Sequence, residues 1–447
     1  MSYTDLMSTM RSTGIGLAGV DGAWWLPATA PFIMGEYEYN QLSDIGNALF
    51  ELTDAIAAEL REYPDGDFAQ LLSYKVPPAI AAHLDLAPVL SFRPDFQLVP
   101  TSDGMQFVLT EIEIAPSSEG FVHAMQLAYG VPTDIVPAFA RFLAGRELLF
   151  AGTHEWSIYQ YDQLAFCNAL AKYDANAYAL YDRTIAQMEE EIQRGVRWQL
   201  PVIGINGTPE QWEPSMTAHI ARHGLAPFVR DEWAEDVGDT VVFRFGYVGN
   251  FDRTHRAYFQ QWQQRAATFL NPFSFHLDNK VMLMGIRTAS IRNRLDAGTI
   301  AVLERCIPET TLLTTANISR LVAEKESWMI KFAGFDEGNE AWGGRSVRFG
   351  VSFSHDAWRE LLHEAAQLAW PVVAQRLTVS QQLTIDYYRP DGSIGTLYDG
   401  FTRLRTFFLR HRKGEESTHC GSHLTVTSGT MQVSEASDAV QTPVLFH

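Results

Sequence analysis

Cysteine is scarce in this chain: Cys167, Cys306 and Cys420 are the three among 447 residues. They lie far apart, are odd in number and form no CxxC pair. That excludes a disulfide framework and reads as a reduced, intracellular pattern. Long apolar runs are missing, so no segment is expected to span a bilayer. The opening residues Met-Ser-Tyr-Thr-Asp-Leu-Met lack a charged stretch followed by an apolar core, and no signal peptide is expected. Positive charge is short as well, with 34 Lys and Arg against 53 Asp and Glu and a formal net charge of −19. This argues against nucleic acid or an anionic membrane as the main partner, yet leaves room for a local basic pocket around a small anion. The expectation is a cytoplasmic protein of two or three domains, since 46% apolar residues and 12% aromatics can build real cores.

Several familiar motifs are also wanting. No nucleophile elbow, HExxH or Walker loop is present. Gly14-Ile-Gly-Leu-Ala-Gly19 matches the dinucleotide fingerprint as a string, but no apolar strand precedes it and no helical pattern follows, so it reads as a chance match. His411, His419, Cys420 and His423 gather near residue 420 without a second ligand pair at a standard spacing, and zinc is not expected there.

What is present follows a mixed pattern. Apolar residues recur at helical steps from Leu42 to Leu60, which predicts a helix over 35–63 that ends at Pro64-Asp-Gly66. Leu90 to Val99 and Met105 to Ile114 read as strands joined at Asp103-Gly104, a good hairpin signal. Helices are expected over 121–128, 135–143 and much of 160–197. Leu200 to Phe245 reads as a strand, loop, helix, strand alternation, a small open α/β unit. Long β runs are expected over 383–389, 400–410 and 423–433.

The hairpin carries the first chemistry. On a strand, residues two apart share a face, so Arg93 projects with Asp95, and Glu111 with Glu113. Three acids gathered this way suit magnesium held by carboxylates together with phosphate oxygens, and Arg93 suits a phosphate clamp. The competing reading is an exposed hairpin face with a surface ion pair. Lysine gives the second signal. The chain has six lysines, and Lys331 sits in the strand-like run Trp328-Met-Ile-Lys-Phe332 just before a glycine-rich stretch that includes Gly343 and Gly344. A lone cation beside a flexible loop suits a polyphosphate, because glycine lets backbone N–H groups approach closely. Its plainer reading is a strand lysine that snorkels to water. Lys280 opens a short helix, an unfavourable place for a cation unless an anion is there; a solvated surface lysine is the alternative.

Together these residues resemble the ATP-grasp superfamily, and within it the synthetase domain of glutathionylspermidine synthetase and its relatives. That group carries an Arg-x-Asp-Phe strand, matched here by Arg93-Pro-Asp95-Phe96. A Glu-x-Asn follows, matched by Glu111-Ile-Glu113 with glutamate in place of asparagine. Asn279-Lys280 looks like the first nucleotide lysine, Trp328-Met-Ile-Lys331 like the second, and Ala374-Gln375-Arg-Leu377 like the hinge strand that faces adenine. The resemblance implies an α/β ATP-grasp-like fold, with the metal-ligand hairpin preceding the nucleotide lysines and a small open α/β domain. It implies a mainly helical region at 1–90, hairpin and helical segment at 91–199, the α/β domain at 200–270 and nucleotide-binding lobes at 271–447. It also implies ATP bound by Arg93, Lys280, Lys331, Gly343, Gly344 and Gln375. Magnesium would be held by Asp95, Glu111 and Glu113, with Arg93 and Glu111 catalytic. The activity implied is ATP-dependent joining of a small-molecule carboxylate to an amine through an acyl-phosphate. A scaffold that binds without turnover, and a phosphotransferase using the same nucleotide site, remain open.

Overall fold

The structure is a computed structural model that describes residues 2–15, 25–102, 104–194, 216–336, 341, 345–429, 431, 433 and 439–447. Its centre is an eight-stranded sheet in which the strand Ile394–Leu409 is flanked by Thr418–Thr427 on one side and Ser91–Thr101 on the other. The hairpin Ser91–Thr101 and Gly104–Glu113 closes one edge. At the opposite end Val440–Phe446 pairs in parallel with Leu26–Pro27 and with Phe32–Met34.

Each face of this sheet has its own cover, and strand alternation decides which residue meets which. Phe92, Phe96, Leu404 and Phe408 point into one core. The 27-residue helix Glu36–Glu62 lies there, with Phe50 4.0 Å from Phe92 between ring centroids. Gly46 of that helix sits so close to Phe408 that a Cβ would lie 2.4 Å from the ring. Phe407 and Leu409 face the other way, into a core shared with the helices Glu119–Tyr129 and Ile135–Leu143.

A second, five-stranded sheet is wholly parallel, ordered Val229–Arg230, Ala177–Tyr181, Leu148–Gly152, Val241–Phe245, Thr268–Phe269. Two of its strands precede residue 200, so this α/β unit draws on chain that the sequence reading assigned to a helical segment. The long helix expected over 160–197 is in fact Gln160–Ala171, then the strand Ala177–Tyr181, then Ile185–Gln193. The break falls where Asp174 adopts φ +55°, and the apolar run Ala-Tyr-Ala-Leu-Tyr then gains a strand partner on each side. Ala and Leu favour a helix in isolation, but sheet pairing overrides that preference. The strand and loop expected at 200–207 lie outside the described residues.

The third sheet is a small antiparallel one, ordered Thr310–Leu312, Val372–Arg376, Trp328–Phe332, Arg348–Phe349. Trp328, Ile330, Val372 and Ala374 point to its own helices, Ile318–Ala323 and His355–Gln367. Lys331, opposite Val373, therefore points back toward the central sheet. Among the described residues no helix is long and apolar enough to cross a membrane.

Candidate nucleotide and substrate site

A β-bulge sets the geometry of the site. In the hairpin, Phe96 pairs with Leu109 but the next residue, Asp95, pairs with Glu111, leaving Thr110 as an extra residue on its strand. The extra residue reverses the alternation. Phe107 and Leu109 point into the core under Glu36–Glu62, whereas Glu111 and Glu113 point to the opposite face, beside Asp95 and Arg93. Thr110 is itself engaged twice. Its hydroxyl donates to the Asp95 carbonyl at 2.9 Å, and its own carbonyl accepts from Lys331 Nζ at 2.6 Å.

Three distant segments thus meet at Glu111. Lys280 Nζ lies 3.5 Å from Glu111 Oε2 and donates to the Ala341 carbonyl at 2.8 Å. The loops that carry the two lysines are stitched together, because Lys280 N donates to the Ala333 carbonyl at 2.9 Å. Gly334, with φ +149°, lets the chain pass so close that a Cβ would sit 2.7 Å from the Asp278 carbonyl oxygen. Burial alone would raise the Glu111 pKa, but Lys280, Lys331, Arg403 and Arg93 outweigh it and hold the carboxyl at about 2. Burial likewise lowers Lys331 to about 7, against the pull of Glu111. Glu113 goes the other way. Burial pushes its carboxyl up to about 8 despite Arg93, and the nearby Glu111 charge adds to the rise.

Asp95, expected from the sequence beside a metal, is gripped by arginine. It is 1% exposed. Arg93 Nε reaches its Oδ1 at 2.9 Å, and Arg405 Nε and Arg403 Nη1 lie 3.3 and 3.8 Å from Oδ2. Arg403 and Arg405 come from the strand Ile394–Leu409 and were not singled out in the sequence. Their signal was available: Arg403-Leu-Arg405 has the same two-residue step as Arg93-Pro-Asp95.

Two recesses open on this cluster, and Glu113 and Tyr247 line both. One runs over Glu111, Asp278, Asn279 and Lys280. The other is bounded by Arg93, Ser117, Trp156, Tyr159 and Gly246. Its location follows from topology. In the parallel sheet the chain winds one way from Leu148–Gly152 and then returns to its other side at Val241–Phe245. Ligands bind outside the carboxyl ends of the strands where the order reverses. Trp156 and Tyr159 follow one of these strands, Gly246 and Tyr247 the other. Arg244 fixes this sheet to the lysine loop through a fully buried ion pair, 2.7 Å from Asp278 Oδ1. Asn279 Nδ2 reaches the Leu72 carbonyl at 2.8 Å and anchors the same loop to the N-terminal helices.

Gln375 is fully buried on the same face as Lys331. Its Nε2 donates to Thr310 Oγ1 at 3.0 Å, and among the described residues its Oε1 has no hydrogen-bond partner. Gly343 and Gly344 lie outside the described residues. Among the described residues, no three His, Cys, Asp or Glu side chains come together so as to hold a metal ion.

No family model matches the chain, and no curated protein does. Among solved structures, it is similar over its whole length to a glutathione synthetase-like effector from Globodera pallida in its apo form. The TM-score is 0.53 and the identity 12%, covering 100% of this chain and 98% of that one. A putative gamma-glutamylcysteine synthetase from Methylobacillus flagellatus KT gives a TM-score of 0.37 at 11% identity, over 87% of this chain and 85% of that one. The first likeness shows the fold alone: a mixed α/β fold like that of the glutathione synthetase-like effector, in keeping with the α/β class expected from the sequence.

Proposed function

We propose that the protein is an ATP-dependent carboxylate–amine ligase. The observation that carries this reading is the meeting of Glu111, Lys280 and Lys331, drawn from three segments of an ATP-grasp-like fold, beside two recesses that share Glu113. Five cationic side chains, Arg93, Lys280, Lys331, Arg403 and Arg405, surround three carboxylates, Asp95, Glu111 and Glu113. An excess of buried positive charge in a chain of net charge −19 is complementary to a polyphosphate.

In this reading the recess over Lys280 receives the phosphates, and the recess between Arg93, Ser117 and Tyr247 receives the carboxylate and amine. Magnesium would be held by Glu111 and Glu113 and would offset triphosphate charge. The carboxylate takes up the terminal phosphoryl group as ADP leaves; attack by the amine then expels orthophosphate and forms the amide. The side chains act chiefly by positioning and charge neutralisation. Lys331 would exchange the Thr110 carbonyl for a phosphate oxygen, and the depressed Glu111 pKa keeps that group ionised for a metal. Among such ligases, the glutathionylspermidine synthetase group shares the Arg-x-Asp-Phe strand and the order of hairpin before lysines.

One observation favours a second reading, a nucleotide-binding scaffold without turnover: Asp95 is held by three guanidinium groups rather than left open to a metal. ADP release across pairs of amino acids, short peptides and polyamines separates the two. Release that requires both a carboxylate and an amine is the expected result. Nucleotide binding with no release for any pair supports the scaffold. The wild-type protein should gain thermal stability from ATP with magnesium, and Lys280→Ala and Lys331→Ala should each lose most of that gain while remaining folded. Undiminished stabilisation in both variants would remove the nucleotide assignment.

A further inference from the structure

The two recesses meet at two side chains. Glu113 and Tyr247 are the residues common to both linings. Glu113 belongs to the carboxylate cluster. Tyr247 follows the strand Val241–Phe245 by two residues, at the carboxyl end of the parallel sheet. Its side chain spans the junction. On one side the ring packs edge-on against Trp156, 6.0 Å between centroids at 78°, in the recess that Arg93 bounds. On the other, burial and then the charges of Glu113, Glu111 and Asp278 raise its phenol, so the oxygen lies toward the carboxylates of the recess over Lys280.

The chain on either side of Tyr247 is clamped. Before it, the Gly246 carbonyl accepts from Arg244 Nη1 at 2.8 Å. After it, Val248 N donates to Asp278 Oδ2 at 2.7 Å. These are the two members of the buried Arg244–Asp278 pair. Tyr247 N itself donates to Asn250 Oδ1 at 2.9 Å, and the same oxygen accepts from Trp156 Nε1 at 3.0 Å. The residue is thus fixed both at its backbone and at its ring. A phenol held this way is a donor that needs no rearrangement when charge develops beside it. Glu113 is assigned to magnesium in the reading above, which leaves the phenol as the donor common to both recesses.

We propose that Tyr247 is a catalytic residue, its phenol O–H donating a hydrogen bond to the acyl oxygen of the acyl-phosphate formed between the two recesses. This rests on the ligase reading of the site. The chemistry localises the bond. A carboxylate oxygen attacks the terminal phosphorus, and the bond from phosphorus to the ADP oxygen breaks with its electron pair leaving on ADP. The acyl-phosphate therefore straddles the junction, its phosphoryl group toward Lys280 and its acyl carbon toward Arg93. When the amine nitrogen attacks that carbon, the carbonyl electron pair moves onto the acyl oxygen. It returns as the bond from carbon to the phosphate oxygen breaks, and orthophosphate leaves with that bond's pair and a proton from the amine. Tyr247 neither gains nor loses a proton. It holds the acyl oxygen while that oxygen carries charge, an interaction stronger in the transition state than before it.

Tyr247→Phe keeps the ring on Trp156 and removes the donor. Isothermal titration of the full chain compares it with wild type, using ATP–magnesium and, with ADP–magnesium present, acetylphosphonate as a stable acyl-phosphate isostere. The variant should bind acetylphosphonate about tenfold more weakly and ATP–magnesium equally well. For any carboxylate–amine pair that drives ADP release, kcat should fall about 100-fold with the KM for ATP unchanged. Wild type that binds ATP, with acetylphosphonate held equally by both proteins, overturns the proposal and leaves the ligase reading intact. Wild type that binds ATP but no acetylphosphonate does the same. Wild type that binds no ATP removes the ligase reading and the proposal with it, an outcome visible without the variant. Should Tyr247→Phe not fold, Tyr247→Leu keeps an apolar side chain and removes the hydroxyl. The same tenfold loss is expected there, and unchanged affinity is equally decisive against the proposal.

Discussion

Glu111 and Glu113 are two residues apart on one strand, the first partly exposed and the second buried, and their carboxyls are driven in opposite directions. Charge makes the difference: Glu111 has two lysines and two arginines around it, while Glu113 has Arg93 and the adverse neighbour Glu111. The pH consequences follow by linkage. Glu113 binds its proton more tightly in the fold, at about 8, than at the ordinary 4.5. Its contribution to stability is therefore full below pH 4.5 and lost as pH rises through 8. Glu111, held at about 2, contributes above pH 4.5 and loses that contribution as pH falls through 2. Glu113→Gln should accordingly flatten the decline in stability between pH 4.5 and 8 that wild type shows, a difference of a few kcal/mol read by urea denaturation at each pH. Parallel curves for the two proteins would mean that Glu113 is solvated rather than buried. At this scale the sequence was informative wherever partners are close in the chain. Arg93 with Asp95 and Glu111 with Glu113 could be read from a two-residue step. Arg403 and Arg405 could not be joined to them, because nothing local connects Asp95 with a strand 310 residues later.

The hairpin was legible as an element, but its bulge was not. Plain alternation would place Glu111 and Glu113 on the face of Phe107 and Leu109, in the core beneath Glu36–Glu62. Thr110 prevents this by adding one residue, and it also receives Lys331 at the same point. Deleting Thr110 should therefore do far more than replacing it. The deletion restores simple register and turns two carboxylates into an apolar core, so a loss of cooperative thermal unfolding by circular dichroism is expected. Thr110→Ala should cost about 1 kcal/mol, for its hydroxyl bond to the Asp95 carbonyl. A deletion variant that melts like wild type would show that the bulge does not set the facing. Elsewhere, Ala177–Tyr181 was misread for the same kind of reason: its helical composition is local, while the strands on either side of it are not.

Across the whole molecule, the N-terminal helical region acts as a brace between the lobes. Lys75 Nζ donates to the Ala366 and Leu368 carbonyls at 2.8 and 2.6 Å, capping the end of His355–Gln367 on the small antiparallel sheet. Asn279 reaches back to Leu72 only three residues earlier. Lys75→Met should speed amide exchange in the last turn of His355–Gln367 and around Lys331, with little change in the parallel sheet. Equal exchange in both proteins would argue that the lobe is held by its core contacts alone. Arg410, bidentate to Asp54 at 2.8 Å on each arm, ties Glu36–Glu62 to the central sheet in the same manner.

The central sheet also dictates a timetable for synthesis. Thr110 must wait 221 residues for Lys331, and Asp95 must wait 310 for Arg405. At ribosomal rates of about 5–20 residues per second, the second interval is roughly 15–60 s. Through that time the nascent Ser91–Thr101 strand has a hairpin partner on one edge and an open edge on the other, and Asp95 on its face has Arg93 of the same strand as its guanidinium partner while Arg403 and Arg405 are still to come. The charges that help position the finished site are thus also a guard during translation, because a strand carrying charged side chains beside its open edge is a poor template for pairing with another chain.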